Sequence, residues 1–120
     1  MKSKPNAIKE KSFAFAVRIV KLARFLQGEW REFVLSKQLL RSGTTVGALV
    51  REAEQAESKA DFIHKLAIAL KEANETDYWL DLLHETAILD PKGFDSIKPD
   101  ITELLKLLTA IIKSTKKGDN

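Results

Sequence analysis

The run Lys59–Leu89, KADFIHKLAIALKEANETDYWLDLLHETAIL, contains neither glycine nor proline. Phe62, Ile63, Leu66, Ala67, Leu70, Ala73, Leu80, Leu83 and Ala87 recur in it at helical spacings. The spacing predicts one helix over 59–89, on the order of 45 Å long at about 1.5 Å per residue. Ser58 and Asp61 are both candidate N-caps. The segment Asp90-Pro91-Lys92-Gly93 closes the run, because proline and glycine both oppose helix continuation.

The other helices are read outward from this one. Over 8–27 the polar residues fall mainly at Lys11, Arg18, Lys21 and Arg24, which share an arc of about 140° on the wheel, and most of the rest is apolar. A helix buried on one side shows a narrower stripe, so this one is expected to bury a second face against another subunit. Gly28 is its expected stop. The next pattern covers 29–55, with Trp30, Phe33, Val34, Leu39, Leu40, Val46, Leu49, Val50 and Ala53 on its apolar side. Its middle holds Gly43 and Gly47, a spacing that admits a close neighbouring backbone; the alternative is a kink or short loop there. The last helix is expected over 99–114, starting near Phe94 or just after Lys98, with Pro99 in its first turn and Asp100 beside the N-terminus. Ile101, Leu104, Leu105, Leu107, Leu108, Ile111 and Ile112 form its apolar face, and the tail from Lys113 is expected to fray. Short connections between long helices favour antiparallel neighbours. The expected fold is all-α: a single domain spanning 1–120, an up-down antiparallel four-helix bundle.

Composition agrees with that class. Of 120 residues, 44% are apolar and 31% charged, which a disordered chain would not support. Five glycines and three prolines are too few for an all-β fold. The absence of cysteine excludes disulfides, thiolate metal sites and cysteine nucleophiles. The stretch Met1–Asn6 lacks the apolar core of a signal peptide, and no apolar run reaches the length of a membrane span. A cytoplasmic protein without membrane association is expected.

Charge is unevenly placed. Residues 1–51 carry 11 Lys/Arg against 3 Asp/Glu, a balance of +8; residues 52–120 carry 9 against 14, a balance of −5. Lys37, Arg41 and Arg51 fall within about 80° of one another on the second helix. With Arg18, Lys21 and Arg24 they are the candidate patch for phosphates; the competing reading is an ordinary solvated face. Glu72, Glu75, Asp77, Asp81 and Glu85 form an acidic run, read as solvated or paired with the basic residues. Asp61-x-x-His64 and Asp81-x-x-His84 have the acid-x-x-His spacing of bundle di-metal sites. They lie about 30 Å apart on one helix and cannot share a site in a monomer. No phosphate loop, HExxH or nucleophile elbow occurs. No enzymatic activity, metal or cofactor is expected.

Three ordered segments carry a family resemblance: KSFAFAVRIV at 11–20, QLLRSGTTVGA at 38–48 and DFIHKLAIALKEANETDYWL at 61–80. Together they resemble the bacterial 23S rRNA intervening-sequence proteins, over about Ile8 to Ile112. The resemblance implies an up-down bundle that assembles into a homo-oligomeric ring, a homopentamer, with no enzymatic activity. It also implies association with RNA or DNA. A related branch, the accessory proteins of diversity-generating retroelements, binds a reverse transcriptase and nucleic acid through a basic surface. Leu49 stands where relatives are expected to have Asn, so a polar contact there is expected to be missing. Candidate close-packing or oligomer residues are Gly43, Gly47, Phe13 and Phe15. Three function classes stay open, in order of preference: a nucleic-acid-binding oligomer, a protein-interaction scaffold that binds no nucleic acid, and a metal-dependent bundle enzyme with Asp61, His64, Asp81 and His84 as its only candidates.

Overall fold

The computed structural model describes residues 6–118. Met1–Pro5 and the last two residues of the tail, Asp119 and Asn120, lie outside the described residues. Four helices follow in order: α1 (Asn6–Glu29), α2 (Leu35–Ala53), α3 (Lys59–Glu85) and α4 (Pro91–Lys117). Each packs on its sequence neighbours, and α1 closes the ring against α4 along the thinnest of the four seams. Cross-helix contacts join Lys9 to Glu54 and Gln27 to Ser36 between α1 and α2, Lys65 to Glu52 between α2 and α3, and Lys98 to Asp77 and Asp81 between α3 and α4, so sequence neighbours run antiparallel. The bundle measures 49 × 21 × 21 Å.

The buried positions explain why these helices bundle. On α3 they are Leu66, Ala69, Ala73, Thr76, Leu80 and Leu83, and on α4 Ile97, Ile101, Leu104 and Leu108. These alternate three- and four-residue steps, the seam that favours knobs-into-holes packing at a shallow crossing angle. One polar pair sits inside that seam. The Ser42 and Thr76 hydroxyls are hydrogen-bonded across α2 and α3 at 2.9 Å, and the Thr76 hydroxyl also lies 2.8 Å from the Glu72 carbonyl. Both side chains are fully buried, and the pairing avoids the cost of an unsatisfied hydroxyl.

α2 runs through Gly43 and Gly47 without a break. Both glycines meet α1 of the same chain. A Cβ on Gly43 would stand 2.9 Å from Cγ1 and Cγ2 of Ile19, and one on Gly47 would stand 3.3 Å from the Ser12 carbonyl oxygen. The small residues therefore serve an approach between helices within the chain. Phe15, a candidate for an intersubunit contact, is buried on the same face as Ile8, Ile19 and Leu26. It belongs to the chain's own core.

The connections differ from the periodicity reading, each for a local reason. α2 begins at Leu35, not Glu29, so Trp30, Phe33 and Val34 are loop residues and exposed. Arg31 adopts a left-handed φ of 53°, which turns the chain so that the Trp30 and Glu32 amides both donate to the Leu26 carbonyl. The Glu32 carboxylate then accepts the Val34, Leu35 and Ser36 amides at 3.1, 2.9 and 2.7 Å. It satisfies the orphan donors that open α2.

α3 starts as read, with the Ser58 hydroxyl accepting the Asp61 amide at 3.0 Å. It ends at Glu85, four residues before Leu89. Ala87 takes a left-handed φ of 65° and is exposed, while the Ile88 and Leu89 amides both return to the Leu83 carbonyl. Asp90-Pro91 closes one helix and opens the next. Pro91 occupies the first turn, where no amide is needed, and Asp90 accepts the Gly93 amide at 2.7 Å. α4 thus begins eight residues before Pro99, which lies inside it on the exposed side. The helix continues to Lys117, through most of the tail expected to fray.

Gly43→Ala should lower unfolding free energy by about 1–2 kcal/mol, because overpacking against a fully buried Ile19 outweighs the ~1 kcal/mol helix-propensity gain. In an Ile19→Ala background the same change should cost less. Denaturant midpoints of the four proteins test this; a more stable Gly43→Ala protein would refute the tight contact.

Candidate nucleic-acid interface on the α1–α2 face

The structure sorts the candidate cations into two groups. Arg18 turns toward α4, donating to Asp100 Oδ2 at 2.6 Å, to the Ser96 carbonyl at 3.1 Å and to Ser96 Oγ at 2.6 Å. Arg41 turns toward α3, donating to Glu72 Oε1 at 3.0 Å and to Glu75. Both hold neighbouring helices together. Lys21, Arg24, Lys37 and Arg51 are exposed and have no carboxylate partner among the described residues. Arg51 lines the joint between α1 and α2, and Arg24 and Lys37 are exposed near the α1–α2 connection, on the last two turns of α1 and the first turn of α2. Lys21 borders a hollow shared with Leu89, Gly93 and Ser96 on the α4 side of α1.

The joint itself is apolar. Phe13, Ala16, Thr44, Gly47, Ala48 and Arg51 line a groove of about 300 Å³. The Arg51 guanidinium stands 5.1 Å from the Phe13 ring centroid, a cation–π arrangement. Phe13 is 55% exposed, Phe25 51% and Val17 38%, so α1 carries an apolar strip along its outer side. Arg31 adds a further cation at the α1–α2 connection, 5.5 Å from the Phe33 ring centroid.

The acidic run of α3 is largely engaged within the chain. Lys98 of α4 bridges Asp77 at 2.5 Å and Asp81 at 2.8 Å. Burial is the largest single influence on Lys98 and opposes its charge, but the hydrogen bonds to Asp77 and Asp81 outweigh it and raise its pKa. The Glu75 carboxyl is held below its ordinary range, first by the Arg41 hydrogen bond and then by the Trp79 indole N–H. Glu75 in turn raises Arg41, with Glu72 contributing less. Lys9–Glu54 and Lys11–Glu103 cross between helices at 3.3 and 3.2 Å. Cations of the basic half thus meet acids of the other half; among the described residues Lys71, Lys92, Lys106, Lys113, Lys116 and Lys117 of α3 and α4 are also exposed without a carboxylate partner.

The two acid-x-x-His pairs occupy opposite halves of α3. Asp61 accepts the Glu57 amide, Asp81 holds Lys98, and the His84 ring stacks on Phe94 at 4.1 Å. Among the described residues no three His, Asp or Glu side chains group as metal ligands. Among the same residues no helix is long and apolar enough to cross a membrane.

Sequence reading missed the exposure of Trp30, Phe33 and Val34, because their spacing continues the α2 stripe. A glutamate placed two residues before Val34 is the signal that would have separated them.

The chain belongs to the 23S rRNA-intervening sequence protein family, whose pattern it matches over residues 4–110. Among solved structures it is similar to a protein with unknown function from the S23 ribosomal protein family of Bacteroides thetaiotaomicron. The two share 60% identity and a TM-score of 0.90, over 92% of this chain and 99% of that one. No curated protein matches the chain.

The Glu75 shift gives a signed pH dependence. Its folded-state pKa is lowered, so its contribution is complete above the ordinary value of 4.5 and is lost as pH falls through the lowered value. Exposure of the pair keeps the effect to ~1 kcal/mol or less. Denaturant midpoints from neutral pH into the acid range should fall less steeply in Arg41→Met than in the parent; identical slopes would contradict the assignment.

Proposed function

We propose that this chain is a non-enzymatic, homo-oligomeric binding protein of the cytoplasm that associates with RNA through its α1–α2 face. The observation that carries the reading is the company the cations keep: Arg51 stands over the exposed Phe13 and Arg31 over the exposed Phe33, with Arg24 and Lys37 exposed on α1 and α2 and without a carboxylate partner among the described residues, whereas the equally unpartnered Lys71, Lys92, Lys106, Lys113, Lys116 and Lys117 of α3 and α4 stand over no aromatic ring among those residues. Unpaired, exposed cations are the groups that displace counterions from a phosphate backbone. The family name, which places its members with an intervening sequence of 23S rRNA, supports RNA over other polyanions. Arg18 and Arg41 are assigned to stability, since each already binds a carboxylate.

Self-association rests on a separate observation. Phe13, Val17 and Phe25 expose an apolar strip along one helix, and burying it against another copy removes it from water. The same strip favours the protein-scaffold reading if RNA is not bound.

Binding of a single-stranded RNA, measured by anisotropy at several salt concentrations, should weaken with a log–log slope of about −2 to −3, for three or four phosphates at about −0.7 each. Arg24→Glu/Lys37→Glu/Arg51→Glu should abolish it, while Arg41→Met should leave the slope unchanged. Salt-independent binding, or none, would overturn the RNA reading. In light scattering the parent should exceed the 13.5 kDa monomer mass, and Phe13→Asp/Phe25→Asp should move it toward that mass. A parent that is already monomeric contradicts self-association.

A further inference from the structure

The α1–α2 connection presents aromatic surface that the bundle does not use. Trp30 is 50% exposed, Phe33 52% and Val34 72%, all within residues 30–34. This is not a slack loop. The Leu26 carbonyl accepts two of its amides, and the Glu32 carboxylate accepts the Val34, Leu35 and Ser36 amides. The aromatic rings are thus carried on a fixed backbone. The Arg31 guanidinium lies over Phe33, leaving the Arg31 charge beside a ring and not beside an acid.

Charge at this end of the bundle complements an anion. Arg24 precedes the connection by less than two turns, and Lys37 follows it in the first turn of α2. Neither has a carboxylate partner among the described residues. Glu32 is engaged by backbone amides, so its charge is offset, and Glu29 is the one other acid of this segment. The α2 N-terminus is already satisfied by Glu32, so a phosphate here must be met by side chains.

We propose that residues 30–33 form a stacking platform for unpaired bases, with Trp30 and Phe33 as the aromatic faces and Arg24, Arg31 and Lys37 meeting the flanking phosphates. The inference rests on the RNA reading above and narrows it to single-stranded segments. A duplex hides its base faces, whereas an unpaired strand offers a π-face at each nucleotide to aromatic side chains beside a basic track. Recognition of this kind tolerates many sequences, because every base can stack.

The test compares a single-stranded RNA of about 12 nucleotides, within the site sizes of single-strand binders, with a duplex of equal length. The parent should bind the single strand more tightly and lose tryptophan fluorescence on binding. Trp30→Ala/Phe33→Ala should lose on the order of ten-fold or more in single-strand affinity. It should also lose most of the quenching while keeping duplex affinity. Both side chains are exposed, so the variant is expected to fold; circular dichroism verifies this. Trp30→Phe, which keeps a stacking face, should retain most of the affinity. If the double variant binds single strand and duplex as the parent does, the platform is overturned and the charge-led reading survives. If neither RNA binds the parent, both fall. If the double variant loses self-association but not RNA binding, the aromatic tip is a contact between copies and the proposal is overturned.

Discussion

The architecture depends on the approach of α1 to α2 over Gly43 and Gly47. At Gly43 a methyl group would press on the branched carbons of Ile19, and at Gly47 it would crowd the Ser12 carbonyl. Glycine costs helix propensity at both positions, so the helix tolerates it for what it admits. The approach seats one side of α1 on α2 while Phe15, Ile19 and Leu26 fill the core. What is left outward on α1 is the strip of Phe13, Val17 and Phe25, beside the cations that α2 cannot neutralise. Close packing at the joint and the character of the surface above it therefore have one origin.

Ion pairs tie the α1–α2 half of the bundle to the α3–α4 half. Arg18 and Arg41 reach across to α4 and α3, and Lys98 bridges two acids of α3 from α4. These pairs are partly exposed and individually modest. Their larger effect is on what remains: most acids of the α3 run are engaged, while among the described residues Lys21, Arg24, Lys37 and Arg51 on α1 and α2, like Lys71, Lys92, Lys106, Lys113, Lys116 and Lys117 on α3 and α4, are exposed without a carboxylate partner.

Much of this was legible in the residues. Lys59–Glu85 is uninterrupted by glycine or proline, and Ser58 is a standard cap, so α3 and its start could be read directly. The unbroken course of α2 through two glycines followed from apolar periodicity on both sides. The connections were harder, because the residues that set them also fit a helix. Trp30, Phe33 and Val34 continue an apolar stripe, and only the left-handed Arg31 and the Glu32 carboxylate take them out of it. Asp90-Pro91 reads as a stop, yet the same dipeptide caps and opens α4. The division of the cations was not legible at all. Whether Arg41 faces water or Glu75 depends on the register of α2 against α3, which a single sequence does not contain.

The central proposal is that the α1–α2 face, and not α3–α4, receives RNA. It is tested most directly by nitrogen-edited NMR of arginine and backbone N–H groups during titration with single-stranded RNA. Shifts are expected at Arg24, Arg31, Lys37 and Arg51, with the Arg18 and Arg41 side chains and the Lys98 region of α4 unmoved. Shifts centred on α3 and α4 would contradict it.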